Sequence, residues 1–477
     1  MKLTKTGLYL SILVGVSACM SVVFSISRET DMAMAFYAIA AILLIFLGCL
    51  LTGNYSSFTV IFLVFSAFYS LSGSIAARYG AGIPSIFPKP YLVDEFLIPN
   101  SLAVVGMAVG LVLVAGIKSP SISPTKLAPP WNTRNLFLLA CAFAAMASIM
   151  EIVNFSRIGG LETLYRGKAL YESAISDLTG DLPSMMVLLL STAFLGLALS
   201  TSDTPRRIWA RYIAIWLLCC MPLLLITAVL GDRRELLSII VIFTVGYFYF
   251  SPIKRISFKW MTLILLVYLI MGFLFGIRGP LGDVLPTRDF SLLWNTISKP
   301  IFWMTNLNPA SNEFSAPFGN FNTYILSSSD HLRWGETYLR GLTIPIPHLI
   351  WPDKPQTISL DFRDTYFPDL KKRGITGGTA YSSVLEAYIN FGTFGVPIVY
   401  FLIALAIGYL ERIRSKSRSM TLALFYLLLL PRAIVFFRSD LGMPVFWPLL
   451  LAFSGSWSYK LIALVSQQHI IKKKGRS

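Results

Sequence analysis

Apolar residues in this chain fall in long unbroken runs, not in the one-faced stripe of a surface helix or the alternation of a half-buried strand. Twelve such runs can be marked, at 7–26, 33–52, 57–76, 100–117, 135–153, 184–200, 209–229, 235–251, 260–277, 389–410, 420–437 and 444–465. About 20 apolar residues rising 1.5 Å each cross a hydrocarbon core. Backbone without water around it must satisfy its own N–H and C=O groups, so each run is predicted to be a transmembrane helix. The expected fold class is all-α: a polytopic membrane protein of about 12 transmembrane helices, with no soluble domain. Two connections break the rhythm, a medium loop at 154–183 and a long one at 278–388. They divide the chain into an N-terminal bundle of about nine spans (1–277), a long loop with interfacial or re-entrant helices (278–388), and a C-terminal bundle of about three spans (389–477).

Charge fixes an orientation. With the N-terminus in the cytoplasm and sides alternating, the cytoplasmic connections and flanks hold 20 of the 40 Lys+Arg but only Asp203 and Glu411 of the 24 acids. Basic residues in short loops orient a chain during insertion, so both termini and the basic excess are expected on the cytoplasmic side and both larger loops on the periplasmic side. The net charge of +16 is then a sorting signal and not a nucleic-acid surface. All five cysteines (Cys19, Cys49, Cys141, Cys219, Cys220) lie inside the runs, which gives neither a disulfide framework nor zinc-ligand spacing. Val16-Ser17-Ala18-Cys19 looks like a lipoprotein cleavage box, but the apolar run continues through Phe24, and the segment is read as a retained span. There is no repeat of 20–50 residues and no inverted pair of broken spans.

The polar chemistry sits on the periplasmic side. Asp289–Met304 reads as an aromatic interfacial or re-entrant segment with Trp294, Phe302 and Trp303 at headgroup level. Gly341–Pro355 is rich in proline and is expected to be extended. Gly377-Gly378 introduces a short helix that places Glu386, Tyr388 and Asn390 at the outer lip of the tenth span. The turn Gly231-Asp232-Arg233-Arg234-Glu235 is either a locally neutralised hairpin or part of a site. Arg278, Arg432 and Arg438 lie at similar depth. Five guanidiniums at one face form a stronger signal than any one of them, because the planar fork suits phosphate oxygens and stays charged. The implied ligand is a phosphate or pyrophosphate at the outer headgroup level, hence a lipid-linked substrate.

These residues resemble the bacterial O-antigen polymerases, the Wzy-type oligosaccharide repeat-unit polymerases. The likeness rests on Gly231–Arg233 before a span, on the I-P-x-x-I-W-P-x-K-P-like stretch Ile346–Pro355, and on E-A-Y-x-N-F-G-x-x-G at Glu386–Gly395. Gly159-Gly160 with Arg166 and Tyr171 in the medium loop is similar too. The resemblance implies a metal-independent, GT-C-like glycosyltransferase of the inner membrane that needs no cofactor. Its donor would be a growing glycan on undecaprenyl pyrophosphate and its acceptor a single lipid-linked repeat unit, with a flippase and a chain-length regulator as partners. R-x3-L and R-x10-G patterns discussed for such enzymes fit Arg233 with Leu237 and Arg363 with Gly374, whereas a His-x10-Gly pattern is absent.

Pyrophosphate leaves readily, so the protein's main task is to stabilise the charge developing on it. Arg233 and Arg278 are the first candidates, then Arg234, Arg432, Arg438, Arg363 and Arg166. Glu386 is either the base for the acceptor hydroxyl or a structural partner for an arginine. His331 and His348 are alternative bases or plain loop residues, and Tyr388, Tyr381 and Trp351 are either sugar-stacking surfaces or membrane anchors. Three rivals stand beside this reading. One is a metal-using enzyme with acids at Glu29/Asp31 and Asp94/Glu95. The others are an O-antigen ligase and a non-enzymatic flippase.

Overall fold

Each of the twelve apolar runs falls on a helix in the computed structural model. The structure describes residues 4–79, 83, 86–117, 131–157, 159–160, 184–200, 206–229, 233–250, 253, 257–287, 289–308, 314–327, 332–343, 346, 351, 353–372, 378–438 and 446–474. The first half consists of α1 (Lys5–Ile26), α2 (Thr30–Thr52), α3 (Phe58–Tyr79), α4 (Val93–Gly116), α5 (Thr133–Arg157), α6 (Ser184–Ser200), α7 (Arg206–Val229), α8 (Arg233–Tyr247) and α9 (Phe258–Thr287). Short helices follow: α10 (Phe290–Ile297), α11 (Pro300–Leu307), α12 (Ala316–Leu326), α13 (Glu336–Thr343), α14 (Ile358–Tyr366) and α15 (Pro368–Lys372). The chain ends in α16 (Ser383–Arg414), α17 (Met420–Val435), a 3-10 turn (Phe436–Arg438) and α18 (Phe446–Lys474).

Among the described residues nine helices (α1–α5, α7 and α16 to α18) are long and apolar enough to cross a membrane, and shorter apolar helices at Ser184–Ser200, Glu235–Tyr247 and Met261–Leu274 cover the other three runs. No strand occurs among the described residues. The protein is an all-α, multi-pass membrane protein. Its outward-facing apolar side chains, such as Ile12, Phe46, Leu218, Ile398 and Leu402, are those a lipid environment accommodates. Helix α9 continues to Thr287 and α16 begins at Ser383, so helix runs across both ends of the long loop as the sequence delimits it. The proline-rich stretch differs from expectation at its start, where Gly341–Thr343 closes α13 as helix.

Helix association in lipid rests on close backbone approach, which small residues allow. Gly106 and Gly110 give α4 a G-x-x-x-G face against α16. A Cβ at Gly106 would lie 2.2 Å from the Pro397 carbonyl oxygen, and one at Gly110 2.7 Å from that of Phe401. Both obstacles are backbone, which cannot rotate aside. Gly106→Val is therefore expected to destabilise the bundle by ~1–3 kcal/mol or more, seen as a lower midpoint of thermal unfolding in detergent and a reduced membrane yield.

At the end of the bundle away from the loop helices, Glu411 joins three helices. Its carboxylate accepts from the Tyr426 hydroxyl (2.7 Å) and from the Thr59 N–H at the start of α3 (3.4 Å), and it pairs with Arg414 at 3.1 Å. The Arg414 guanidinium lies over the Tyr426 ring (4.9 Å) and the Tyr249 ring (5.5 Å). A negative charge at a helix N-terminus is favourable, and a buried one needs such partners. This explains why an acid persists among the basic residues of this end.

The loop helices cap the opposite end. The aromatic segment at 289–304 is two helices, α10 and α11, and Pro300 opens the second of them. Trp294, Ile301 and Met304 are exposed while Phe302 is buried beside Gly276 of α9, the arrangement of an interfacial hairpin.

Candidate functional site

Helix α16 is sharply bent near its start, so that its first piece folds back beside the second, the Ser383 hydroxyl meeting that of Tyr400 at 2.8 Å. Gly392 has φ 67° and ψ −171°, a backbone that L side chains rarely adopt, and it divides the helix into a short outer piece and the long inner one. Ser382 caps the outer piece, its hydroxyl accepting from the Val384 and Leu385 N–H groups (both 3.1 Å). This outer piece carries Glu386, Tyr388 and Asn390.

Glu386 is 0% exposed, and its Oε1 accepts from the Thr337 hydroxyl at 2.9 Å. Asn390 Nδ2 donates to the Thr337 hydroxyl (2.5 Å) and to the Glu386 carbonyl (2.8 Å), while Asn390 Oδ1 accepts from the Gly335 N–H (2.9 Å). The Arg333 and Trp334 N–H groups donate to the Ile389 and Asn390 carbonyls (both 3.1 Å). Residues 333–337 are thereby locked onto the mouth of α16. The Tyr338 hydroxyl is buried beside this lock with no hydrogen-bond partner. Burial first, and then the Glu386 charge, push its pKa above the ordinary phenol value, so it stays protonated.

Charged pairs extend the lock sideways. Asp361 of α14 takes Arg333 at 3.3 Å and Arg340 at 3.1 Å, and Arg340 also pairs with Glu336 at 2.5 Å. Burial opposes the Arg333 charge, but Tyr381, Asp361 and Glu336 raise its pKa above the usual value. Arg363 is buried and pairs with Asp364 at 2.6 Å. Tyr388 is half-buried in an aromatic group with Phe321 (5.3 Å) and Tyr324 (6.3 Å). Helix α12 is tied to the bundle below, because Asn322 accepts from the Leu92 N–H and donates to the Pro88 carbonyl (both 2.8 Å).

Backbone geometry brings four of the five arginines to one end. Gly246 of α8 lies against Leu427 of α17, while the Tyr249 carbonyl, just past the end of α8, accepts from Arg414, just before α17 begins, so the two helices run antiparallel. From that contact α8 rises ~20 Å to Arg233 and Arg234, and α17 with its 3-10 turn rises ~16 Å to Arg438 at 1.5 Å per residue. Arg432 and Arg438 are half-buried, and the 3-10 turn packs on α3, α12 and α16, which sets it beside the outer piece of α16. Arg278 lies in the last third of α9, a helix that touches α8. The side chains of Arg233, Arg234 and Arg278 lie outside the described residues, as do Arg166, His331 and His348 altogether.

The acids proposed as a metal pair are engaged elsewhere. Asp31 is held by Arg78 through two bonds of 2.8 Å, and Glu95 by Arg28 at 2.6 Å. No group of three or more potential metal ligands occurs among the described residues. Sequence reading missed Thr337, Tyr338, Arg333, Arg340 and Arg28. The only signal for any of them was the i, i+4 spacing of Glu336 and Arg340.

Residues 370–457 match the model of one family, described as O-antigen polysaccharide polymerase Wzy. No curated protein and no solved structure matches the chain. The matched stretch covers α16, α17, the 3-10 turn and the start of α18, and so contains Glu386, Tyr388, Arg432 and Arg438. It bears out the resemblance read from Glu386–Gly395 and supports a general role as an O-antigen polymerase of glycosyltransferase-like type in a membrane.

Proposed function

We propose that this protein polymerises oligosaccharide repeat units carried on undecaprenyl pyrophosphate, at the periplasmic face of the bacterial inner membrane. The observation that carries the reading is the coincidence of the family match with the helices presenting Arg432, Arg438 and Glu386 beneath the docked loop helices. The loop end is the periplasmic one, and both termini are cytoplasmic, a reading supported by the basic excess of the opposite end. An acceptor sugar hydroxyl attacks the anomeric carbon of the donor glycan. The new C–O bond forms as the bond to pyrophosphate breaks, the electron pair leaves with the polyprenyl pyrophosphate, and the hydroxyl proton passes to a base or to water. Arg432, Arg438, Arg233, Arg234 and Arg278 stabilise the charge on the leaving pyrophosphate, and such preorganised stabilisation is usually the greatest single source of rate acceleration. The reaction is metal-independent, a reading supported by the pairing of Asp31 and Glu95 with arginines. A flippase supplies the repeat unit and a chain-length regulator acts on the product.

The test is elongation of defined lipid-linked repeat units by the purified protein, with the product ladder read on a gel. A ladder is expected, and it should form in the presence of a metal chelator. A deletion strain should carry surface glycan of single units only. A strain with no surface glycan at all would instead indicate a ligase or flippase.

A further inference from the structure

A cavity of about 170 Å³ opens at the loop end, lined by Arg28, Thr30, Arg78, Tyr91, Asp94 and Glu95 among others. It is separate from the arginines of α8 and α17, and its chemistry differs from theirs. Asp94 is 7% exposed, and its Oδ2 accepts from the Thr30 hydroxyl at 2.9 Å while its Oδ1 is buried with no donor. Glu95 repeats the pattern: Oε1 takes Arg28 at 2.6 Å, and Oε2 is buried without a partner. A buried carboxylate oxygen with no donor is costly, so the cavity is built for a ligand that brings O–H groups.

The charge count selects the ligand class. The charged lining is balanced, Arg28 and Arg78 against Asp94 and Glu95, and each guanidinium already holds a carboxylate, Arg28 that of Glu95 and Arg78 that of Asp31, which disfavours phosphate. A cation would compete with guanidiniums already at 2.6 Å and 2.8 Å from carboxylate oxygens. A neutral polyol satisfies both kinds of group, because each hydroxyl donates to a carboxylate and accepts from an arginine. The volume is that of about six waters at ~30 Å³ each, the space of one sugar ring.

The position of Arg28 is unusual. Helix α1 ends with the Glu29 N–H donating to the Phe24 carbonyl (2.9 Å) and the Arg28 N–H to that of Ser25 (3.2 Å), a closure that normally has glycine at the position Arg28 occupies. Arg28 holds φ 63° there, a left-handed backbone that a side chain disfavours. The wall carrying Tyr91 and Leu92 is fastened to α12 by Asn322, which ties the cavity to the loop helices.

We infer that the cavity between the α1–α2 turn and the start of α4 is a subsite for one neutral sugar ring of the glycan. The inference rests on the polymerase reading for the source of that sugar, though the site itself is argued from its own groups. The experiment uses the full-length protein in detergent, with methyl glycosides of a hexose, an N-acetylhexosamine and a 6-deoxyhexose as probes, read by saturation-transfer NMR. At least one probe is expected to bind. Arg28→Gly should weaken it at least tenfold with no fall in the thermal midpoint, because glycine suits the backbone there, and Glu95→Gln should weaken it similarly. The inference is overturned if no probe binds, if both variants bind as the wild type does, or if Mn²⁺ alone raises the midpoint in the wild type but not in Glu95→Gln. Glycoside binding without any elongation would sink the polymerase reading and leave the subsite standing; elongation without glycoside binding would do the reverse.

Discussion

Arg432→Ala should lower the rate of glycan elongation by about 10²–10³, the cost of removing one preorganised donor from a developing anion. Arg432 is in the last turn of α17, inside the stretch that matches the polymerase family, and it stands half-buried below the 3-10 turn that ends in Arg438. The thermal midpoint is to be measured beside the rate, so that loss of activity with the fold retained is separated from unfolding. The loss should fall on kcat more than on KM, because the pyrophosphate acquires its extra charge only as the glycosidic bond breaks. Arg432→Lys should recover part of the rate, since an ammonium keeps the charge but not the two-pronged geometry. Arg233→Ala should behave in the same way, as α8 brings its first turn to the same end of the bundle. Elongation within threefold of wild type in both alanine variants would remove the arginine group from the mechanism.

The transmembrane helices were legible because a dry environment leaves a run of apolar backbone one structure to adopt. The depth of Arg432 and Arg438 was legible for the same reason, since residue number along a helix is height. The docking of the loop was not. Thr337 meets Glu386 and Asn390 across about fifty residues of chain, and nothing in E-T-Y-L-R names its partner. Gly392 reads as one glycine of a motif, and only its positive φ shows that it divides a helix. The acids at 29 and 31 and at 94 and 95 looked like candidate metal pairs because sequence lists like charges together. Folding sets Arg28 and Arg78 between them, from a turn and a helix end that carry no pattern of their own.

Glu386 decides between two roles, and the geometry supports positioning over proton transfer. Its carboxylate is 0% exposed, and it accepts from Thr337, whose hydroxyl in turn accepts from Asn390. A glutamine keeps an acceptor oxygen in the same place. Glu386→Gln should therefore hold residues 333–337 on α16 and retain elongation within about tenfold, with an unshifted pH profile. Removal of a general base would instead cost about 10²–10⁴ at an unchanged thermal midpoint. Glu386→Ala should behave differently from glutamine, because it leaves the Thr337 hydroxyl buried without its acceptor. The unmade hydrogen bond costs about 1–3 kcal/mol, the emptied space adds to that cost, and the loop it anchors should come away from the helix mouth. Protease cleavage within residues 333–343 should then be faster in Glu386→Ala than in the wild type and in Glu386→Gln, together with the loss of activity. If Glu386→Gln is inactive while its loop stays protected, the carboxylate itself takes the proton, and the lock must open during turnover to let the acceptor reach it.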